Sequence, residues 1–163
     1  MSSSQLSPQT AAERQMAEAR LRELIVKFAP AHQRLIGTMR RSLRKRLPTA
    51  HELVYAYNGF FVISYSPNGH GYEGVLALRA NADGVKLYFN RGKELPDPEK
   101  LLRGSGTQAR SIEIEGASTL SRAAVMDLIH EALARNRVPF ARTGRGPVVL
   151  RSTSAGPRRR RPS

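Results

Sequence analysis

Residues 51 to 90 read HELVYAYNGFFVISYSPNGHGYEGVLALRANADGVKLYFN, and this stretch decides the fold. Runs of Val, Ile, Tyr and Phe alternate with turn-forming groups, which are Asn58-Gly59, Ser66-Pro67-Asn68-Gly69 and Asn81-Ala82-Asp83-Gly84. β-Branched and aromatic residues favour strands, whereas Asn, Asp and Gly tolerate the positive φ of tight turns. The pattern predicts strands over residues 52–57, 60–65, 74–79 and 85–90. Because the turns between them are short, we expect neighbouring strands to be antiparallel.

Helical periodicity flanks this stretch on both sides. Apolar residues recur at helical spacing over residues 11–28, where Thr10 and Glu13 predict a capping box, and again over 31–47. A fifth strand is predicted over 111–115 and an amphipathic helix over 121–136. Together these elements predict an α+β domain, an antiparallel sheet of about five strands with helices packed on one face. The domain is expected to span residues 11–140, between disordered segments at 1–10 and 141–163.

Composition limits the class of protein. The chain has 163 residues and no cysteine, which excludes disulfides, thiolate metal sites and cysteine nucleophiles. The N-terminus is polar and lacks the apolar core of a signal peptide, and no run approaches the roughly eighteen apolar residues of a membrane span. We therefore expect a cytoplasmic protein without a membrane span.

The net charge of +14 lies at the two ends of the chain. Residues 1–46 hold ten Lys and Arg against three acids, residues 141–163 hold seven against none, and the centre is balanced. Such asymmetry predicts a nucleic acid or another polyanion as partner. A solubilising tail beside a solvated helix face explains the same charge, so both interpretations stay open. The candidate polyanion-binding residues are Arg40, Arg41, Arg44, Lys45 and Arg46 in the basic helical segment 31–47, and Arg158, Arg159, Arg160 and Arg161 in the tail.

A long irregular loop follows the fourth strand and carries the most specific motif. It reads LYFNRGKELPDP over residues 87–98, then LLRGSG over 101–106, then Arg110-Ser111-Ile112. This pattern resembles the signature of the YdhG-like family of bacterial domains, which is frataxin-like in fold. The resemblance covers roughly residues 47–133, without the basic helix or the arginine tail. The motif residues that we expect to act as scaffold are Phe89, Arg91, Gly92, Leu95, Pro96, Asp97, Pro98, Leu102, Gly104, Gly106 and Arg110.

The motif makes physical sense as a rigid support. Glycines permit backbone conformations that other residues resist, and the prolines restrict φ. Asp97 is predicted to cap the turn that begins at Pro98. The alternative, a phosphate cradle at Gly104-Ser105-Gly106, needs a helix to begin directly afterwards, and the sequence predicts a strand there.

The resemblance also implies iron binding, because some YdhG-like members are described as frataxin-like iron chaperones. Here the acids of the first helices lie among ten Lys and Arg, so only Glu18 with Asp97 or Glu99 remain for a site, and we expect iron to bind weakly. The four histidines lack the spacing of metal ligands or of a catalytic triad. We expect no cofactor, no metal site and no catalytic residues.

Aromatic residues are concentrated in the predicted strands, from Tyr55 to Phe89. Most are predicted to belong to the sheet core, and the alternative is a platform on which nucleobases stack. The sequence thus predicts a non-catalytic binding domain whose ligand is open. The alternatives are a nucleic-acid-associated protein and, with least support, an iron chaperone of the frataxin type.

Overall fold

Three helices and a six-stranded mixed sheet make up the part of the chain that the computed structural model describes, residues 8 to 151. The helices are α1 (Ala11–Ile25), α2 (Pro30–Arg46) and α3 (Ala123–Ala134). The strands are β1 (His51–Tyr57), β2 (Phe60–Ser66), β3 (Leu76–Asn81), β4 (Gly84–Phe89), β5 (Arg110–Ile114) and β6 (Val148–Arg151). The prediction of an α+β fold is therefore confirmed. None of these helices is long and apolar enough to cross a membrane.

Local signals explain where the first two helices begin and end. The Thr10 hydroxyl accepts a hydrogen bond from the Glu13 amide at 3.0 Å, and the Glu13 carboxylate accepts one from the Thr10 amide at 2.8 Å. This is the predicted capping box, and it starts α1. Pro30 occupies the first turn of α2, where its missing N–H is not needed. The helix ends at Arg46, just before Leu47 and Pro48.

The strands are ordered β5-β4-β3-β2-β1-β6 in the sheet, and two-residue turns join β1 to β2 and β3 to β4. Tyr57 pairs with Phe60 across Asn58-Gly59, where Gly59 has a φ of 86°. Asn81 pairs with Gly84, and its side-chain oxygen accepts hydrogen bonds from the amides that close the second turn. Strands β1 to β5 pair antiparallel with their neighbours in sequence.

The sheet has one face under the helices and one that faces away from them. Alternate strand residues join the helices in a single core, which includes Leu21, Met39, Val54, Ile63, Leu78, Leu87, Ile112 and Leu128. The strand residues between them form the opposite face, which we call the open face. Its partly exposed side chains include Tyr55, Tyr57, Phe60, Val62, Arg79, Lys86 and Tyr88.

Strand β6 corrects two predictions. The sequence predicts disorder for residues 148–151, but they pair parallel with β1, so the sheet is mixed and has six strands rather than five antiparallel ones. The approach to β6 needs Gly146, because a Cβ there would overlap the carbonyl oxygen of Ala50. The side-chain amide of Gln9, in the other segment expected to be disordered, bonds both the N–H and the C=O of Val148. Residues 1–7 and 152–163 lie outside the described residues.

Candidate nucleic-acid interface

Two of the predicted polyanion-binding residues, Arg40 and Arg44, turn towards the sheet instead of towards solvent. Arg40 forms a two-pronged ion pair with Glu18 at 2.7 and 2.8 Å, and donates to Glu52 through Nε at 2.9 Å and Nη2 at 2.8 Å. Arg44 donates to Glu52 at 3.0 Å, and so does the Tyr65 hydroxyl at 2.8 Å. The side chain of Arg40 is only 15% exposed and that of Glu52 only 3%. Both arginines therefore belong to an ion-pair cluster that joins α1, α2, β1 and β2.

The electrostatics of this cluster follow from burial and pairing. Burial by itself lowers the pKa of Arg40, but its hydrogen bonds and ion pairs with Glu18 and Glu52 outweigh this effect and raise that pKa. Hydrogen bonds from Arg40 hold the pKa of Glu18 below its usual value, although partial burial opposes them. Burial, together with the charge of Glu52, raises the pKa of Tyr65 well above its usual value. Arg40 and Glu18 are thus held in their charged forms, the Tyr65 hydroxyl keeps its proton, and the cluster is structural in character.

The sequence analysis does not single out Glu52 as a buried ion-pair partner, because glutamate is seldom buried. A usable signal was present in the strand alternation. Glu52 has the same parity as Val54, which faces the helices, so a carboxylate in that row must lie under α2 and needs a cationic partner. Arg40 and Arg44 lie one turn apart on α2 and provide that partner.

The remaining helix candidates, Arg41, Lys45 and Arg46, are exposed. Two more exposed arginines, Arg142 and Arg145, lie in the segment between Ala141 and Gly146, which is fixed to the residues that follow α2. Thr49 donates to the Ala141 carbonyl at 2.7 Å, and the Gly146 amide donates to the Pro48 carbonyl at 2.9 Å. We call the group Arg41, Lys45, Arg46, Arg142 and Arg145 the cationic end.

No acidic side chain within residues 8–151 forms an ion pair with the cationic end. The sequence between Glu23 and Glu52 contains no acid, and none follows Glu131. Positive charge also affects Arg14: burial, followed by the charges of Arg145 and Arg44, lowers the pKa of its guanidinium. Arg158, Arg159, Arg160 and Arg161 lie outside the described residues.

The loop motif is built as a support. Gly92 is required because a Cβ would overlap the side chain of Arg110, which in turn donates to the Gly106 carbonyl at 2.8 Å. Asp97 accepts hydrogen bonds from the Leu101 and Leu102 amides, both at 2.9 Å, and so caps a turn as predicted. The other motif residues divide by exposure: Phe89 and Leu95 are buried, Arg91 pairs with Glu94 at 2.9 Å, and Pro96, Pro98 and Gly104 are exposed.

No phosphate cradle is found at this motif in the described part of the chain. The chain after Gly106 leads into β5, and no helix begins there. One cavity between the loop and α3 measures about 30 Å³, which is room for about one water molecule. A second, open groove of about 290 Å³ lies between residues 96–99 of the loop and α3, and its lining includes the acidic residues Asp97, Glu99, Asp127 and Glu131.

Two of the three carboxylates considered for iron are engaged elsewhere. Glu18 is paired with Arg40, and Asp97 accepts two backbone N–H bonds. Across residues 8–151 no three His, Asp or Glu side chains come together as a possible metal site. Partial burial and the charge of Arg151 lower the pKa of His51.

The aromatic residues divide between the two faces of the sheet. Phe61, Tyr65 and Phe89 are fully buried in the core, as predicted. Tyr55, Tyr57, Phe60 and Tyr88 lie on the open face, where Tyr57 is 46% exposed. Tyr72 lies on the connection between β2 and β3 and is 81% exposed. Four of the aromatic side chains are therefore partly exposed on the open face and do not belong to the core.

Comparisons of the chain with protein-family models, with curated proteins and with solved structures gave no significant match. The resemblance to the YdhG-like family and to the frataxin-like fold therefore stays a prediction.

Proposed function

We propose that this chain is a non-catalytic, YdhG-like binding domain of the cytoplasm that attaches to nucleic acid through its cationic end. In this proposal Arg41, Lys45, Arg46, Arg142 and Arg145 contact phosphates, and the arginine tail adds further contacts. Phosphate contacts of this kind supply affinity and position but carry no base information.

The observation that carries the proposal is the attachment of residues 141–146 to the end of α2. The hydrogen bonds of Thr49 and Gly146 bring two acid-free parts of the sequence together, so that the segment with Arg142 and Arg145 is attached just after the helix that carries Arg41, Lys45 and Arg46. A surface of scattered arginines that serves only solubility needs no such convergence. Cations also suit the C-terminus of α2, where the helix dipole is negative, so the charge is tolerated without ion pairs.

The triple variant Arg41→Gln, Lys45→Gln, Arg46→Gln tests the proposal. Each phosphate contact contributes a factor of several to affinity at about 0.1 M salt, so three lost contacts reduce affinity on the order of a hundredfold. The matched control is Lys93→Gln, Lys100→Gln, Arg122→Gln, which removes the same charge from exposed positions outside the cationic end. Fluorescence anisotropy with a labelled mixed-sequence oligonucleotide measures the affinity of both triple variants.

The proposal predicts a large loss for the first variant and a change of less than about threefold for the control. Equal losses in the two variants would mean that net charge alone attracts the polyanion, and the cationic end would not be a site. Circular dichroism at matched temperature verifies that both variants are folded. Arg40→Gln is unsuitable as a binding variant, because it breaks the ion-pair cluster with Glu18 and Glu52.

A further inference from the structure

Three flat groups stand side by side on the open face at its β1–β2 end. The rings of Tyr57 and Phe60 are stacked, with centroids 4.7 Å apart and planes 13° apart. The guanidinium carbon of Arg79 lies 4.4 Å from the Phe60 centroid. Because β1 and β3 flank β2, Tyr57 and Arg79 approach Phe60 from opposite sides. Tyr57 is 46% exposed and Arg79 lines an adjoining groove, so a further flat group can extend the stack from there.

Arg79 is unusual among the arginines of the sheet because its hydrogen-bonding capacity is unused. Its Nε is buried without a partner, and the guanidinium forms no hydrogen bond or ion pair with any residue between 8 and 151. An arginine held against an aromatic ring, with free N–H groups, suits both stacking on a base and bonding to its edge or to a phosphate. Lys86 lies opposite Arg79 on β4 and is exposed.

A groove of about 300 Å³ adjoins the stack, between the β3–β4 turn and β5. Arg79, Asn81, Lys86 and Tyr88 line one part of it, and the carboxylates of Asp83 and Glu113 line the rest. Those carboxylates repel a phosphate but accept hydrogen bonds from the amino groups of bases. The groove therefore favours nucleobases over the phosphates of a nucleic acid, which distinguishes it from the cationic end.

We infer that the open face binds unpaired bases of a single-stranded nucleic acid, with a base stacked on Tyr57 and a neighbouring base edge in the groove that Arg79 lines. A duplex does not present its bases in this way, because they are already stacked and paired. This inference rests on the proposed attachment to nucleic acid and adds the class of strand. The connection between β2 and β3 limits the open face on the other side, since Gly71 and Gly74 pack closely on Tyr55 and Ser64.

The test compares two single strands that carry the same charge. One is an oligothymidylate of about twelve nucleotides, and the other is an abasic strand of the same length. This length is chosen because single-strand-binding domains of the OB-fold type occupy about 4 to 16 nucleotides. The full chain is expected to bind the strand with bases more tightly by on the order of tenfold, which is the effect of one stacked base. The ratio of the two affinities reports stacking, and the abasic affinity alone reports phosphate contacts.

Tyr57→Ala is expected to bring that ratio close to one and to leave the abasic affinity unchanged, which also verifies that the variant is folded. Tyr57→Phe keeps the ring and is expected to keep the ratio. The triple variant of the cationic end is expected to lower both affinities and to preserve the ratio.

Equal affinities for the two strands in the full chain would overturn the inference while leaving the proposed function intact, as would a ratio unaffected by Tyr57→Ala. Tighter binding to duplex than to the single strand would also overturn it. If sedimentation shows a dimer that Tyr57→Ala dissociates, the open face is a contact between copies and the inference is wrong. If no strand binds at low salt, the proposed function fails as well.

Discussion

Replacement of Glu52 tests the ion-pair cluster most severely. Its carboxylate accepts four hydrogen bonds, two from Arg40, one from Arg44 and one from Tyr65, at 2.8 to 3.0 Å. Glu52→Gln keeps the volume but removes the charge, and it leaves Arg40 with Glu18 as its remaining acidic partner. Breaking a buried pair in this way typically costs about 3 to 5 kcal/mol, because one charge stays buried without compensation. We expect a loss of that size in the free energy of unfolding.

Urea denaturation followed by circular dichroism measures this loss, and Glu23→Gln is the control. Glu23 lies 3.9 Å from Arg20 in an exposed pair on α1, and such pairs contribute about 0 to 1 kcal/mol. Glu52→Gln is expected to lower the free energy of unfolding clearly more than Glu23→Gln does. If Glu52→Gln changes the free energy of unfolding by less than about 1 kcal/mol, the cluster is not a structural centre. Arg40 and Arg44 would then return to the list of candidate phosphate ligands.

Three further outcomes follow from the structure. Stability is expected to fall as the pH rises above 10.0, the usual pKa of tyrosine, because Tyr65 keeps its proton in the folded state while unfolded tyrosine loses it. Tyr65→Phe should lack this part of the alkaline loss when denaturation is repeated across that range. Gly146→Ala is expected to destabilise by about 2 kcal/mol or more through β6, whereas Gly116→Ala, with open space around it, should be nearly neutral. Anaerobic calorimetry with ferrous iron is expected to show no stoichiometric micromolar site, and such a site would restore the frataxin analogy.

Most of the fold could be predicted because its signals are local. The turns Asn58-Gly59 and Asn81 to Gly84, the capping box at Thr10 and the periodicity of three helices each depend on residues close in sequence. β6 could not be predicted in this way, because its partner β1 lies almost one hundred residues away. Its four residues have no hairpin and depend on the close approach of Gly146. Neither feature leaves a pattern in the surrounding sequence.

The sequence predicts which residues of the candidate site are cationic, but not which of their side chains face solvent. Arg40, Arg41, Arg44, Lys45 and Arg46 all appear on one basic helix, and the sequence gives no weight to one over another. The structure separates them, because α2 lies over Glu52 and two of its cations turn inwards. The loss of those two is offset by Arg142 and Arg145, whose position depends on contacts distant in sequence.

The salt dependence of nucleic-acid binding tests the central claim most directly. Affinity for a mixed-sequence duplex is measured against salt concentration for the full chain and for the chain without residues 156–163. If the five cations of the cationic end each contact a phosphate, the shortened chain should give a slope of about −4.5 in log affinity against log salt, since each contact contributes about −0.9. The full chain should be steeper, because the tail adds Arg158, Arg159, Arg160 and Arg161. A slope near zero in the shortened chain would mean that the folded domain contributes no phosphate contacts, and that result would contradict the account.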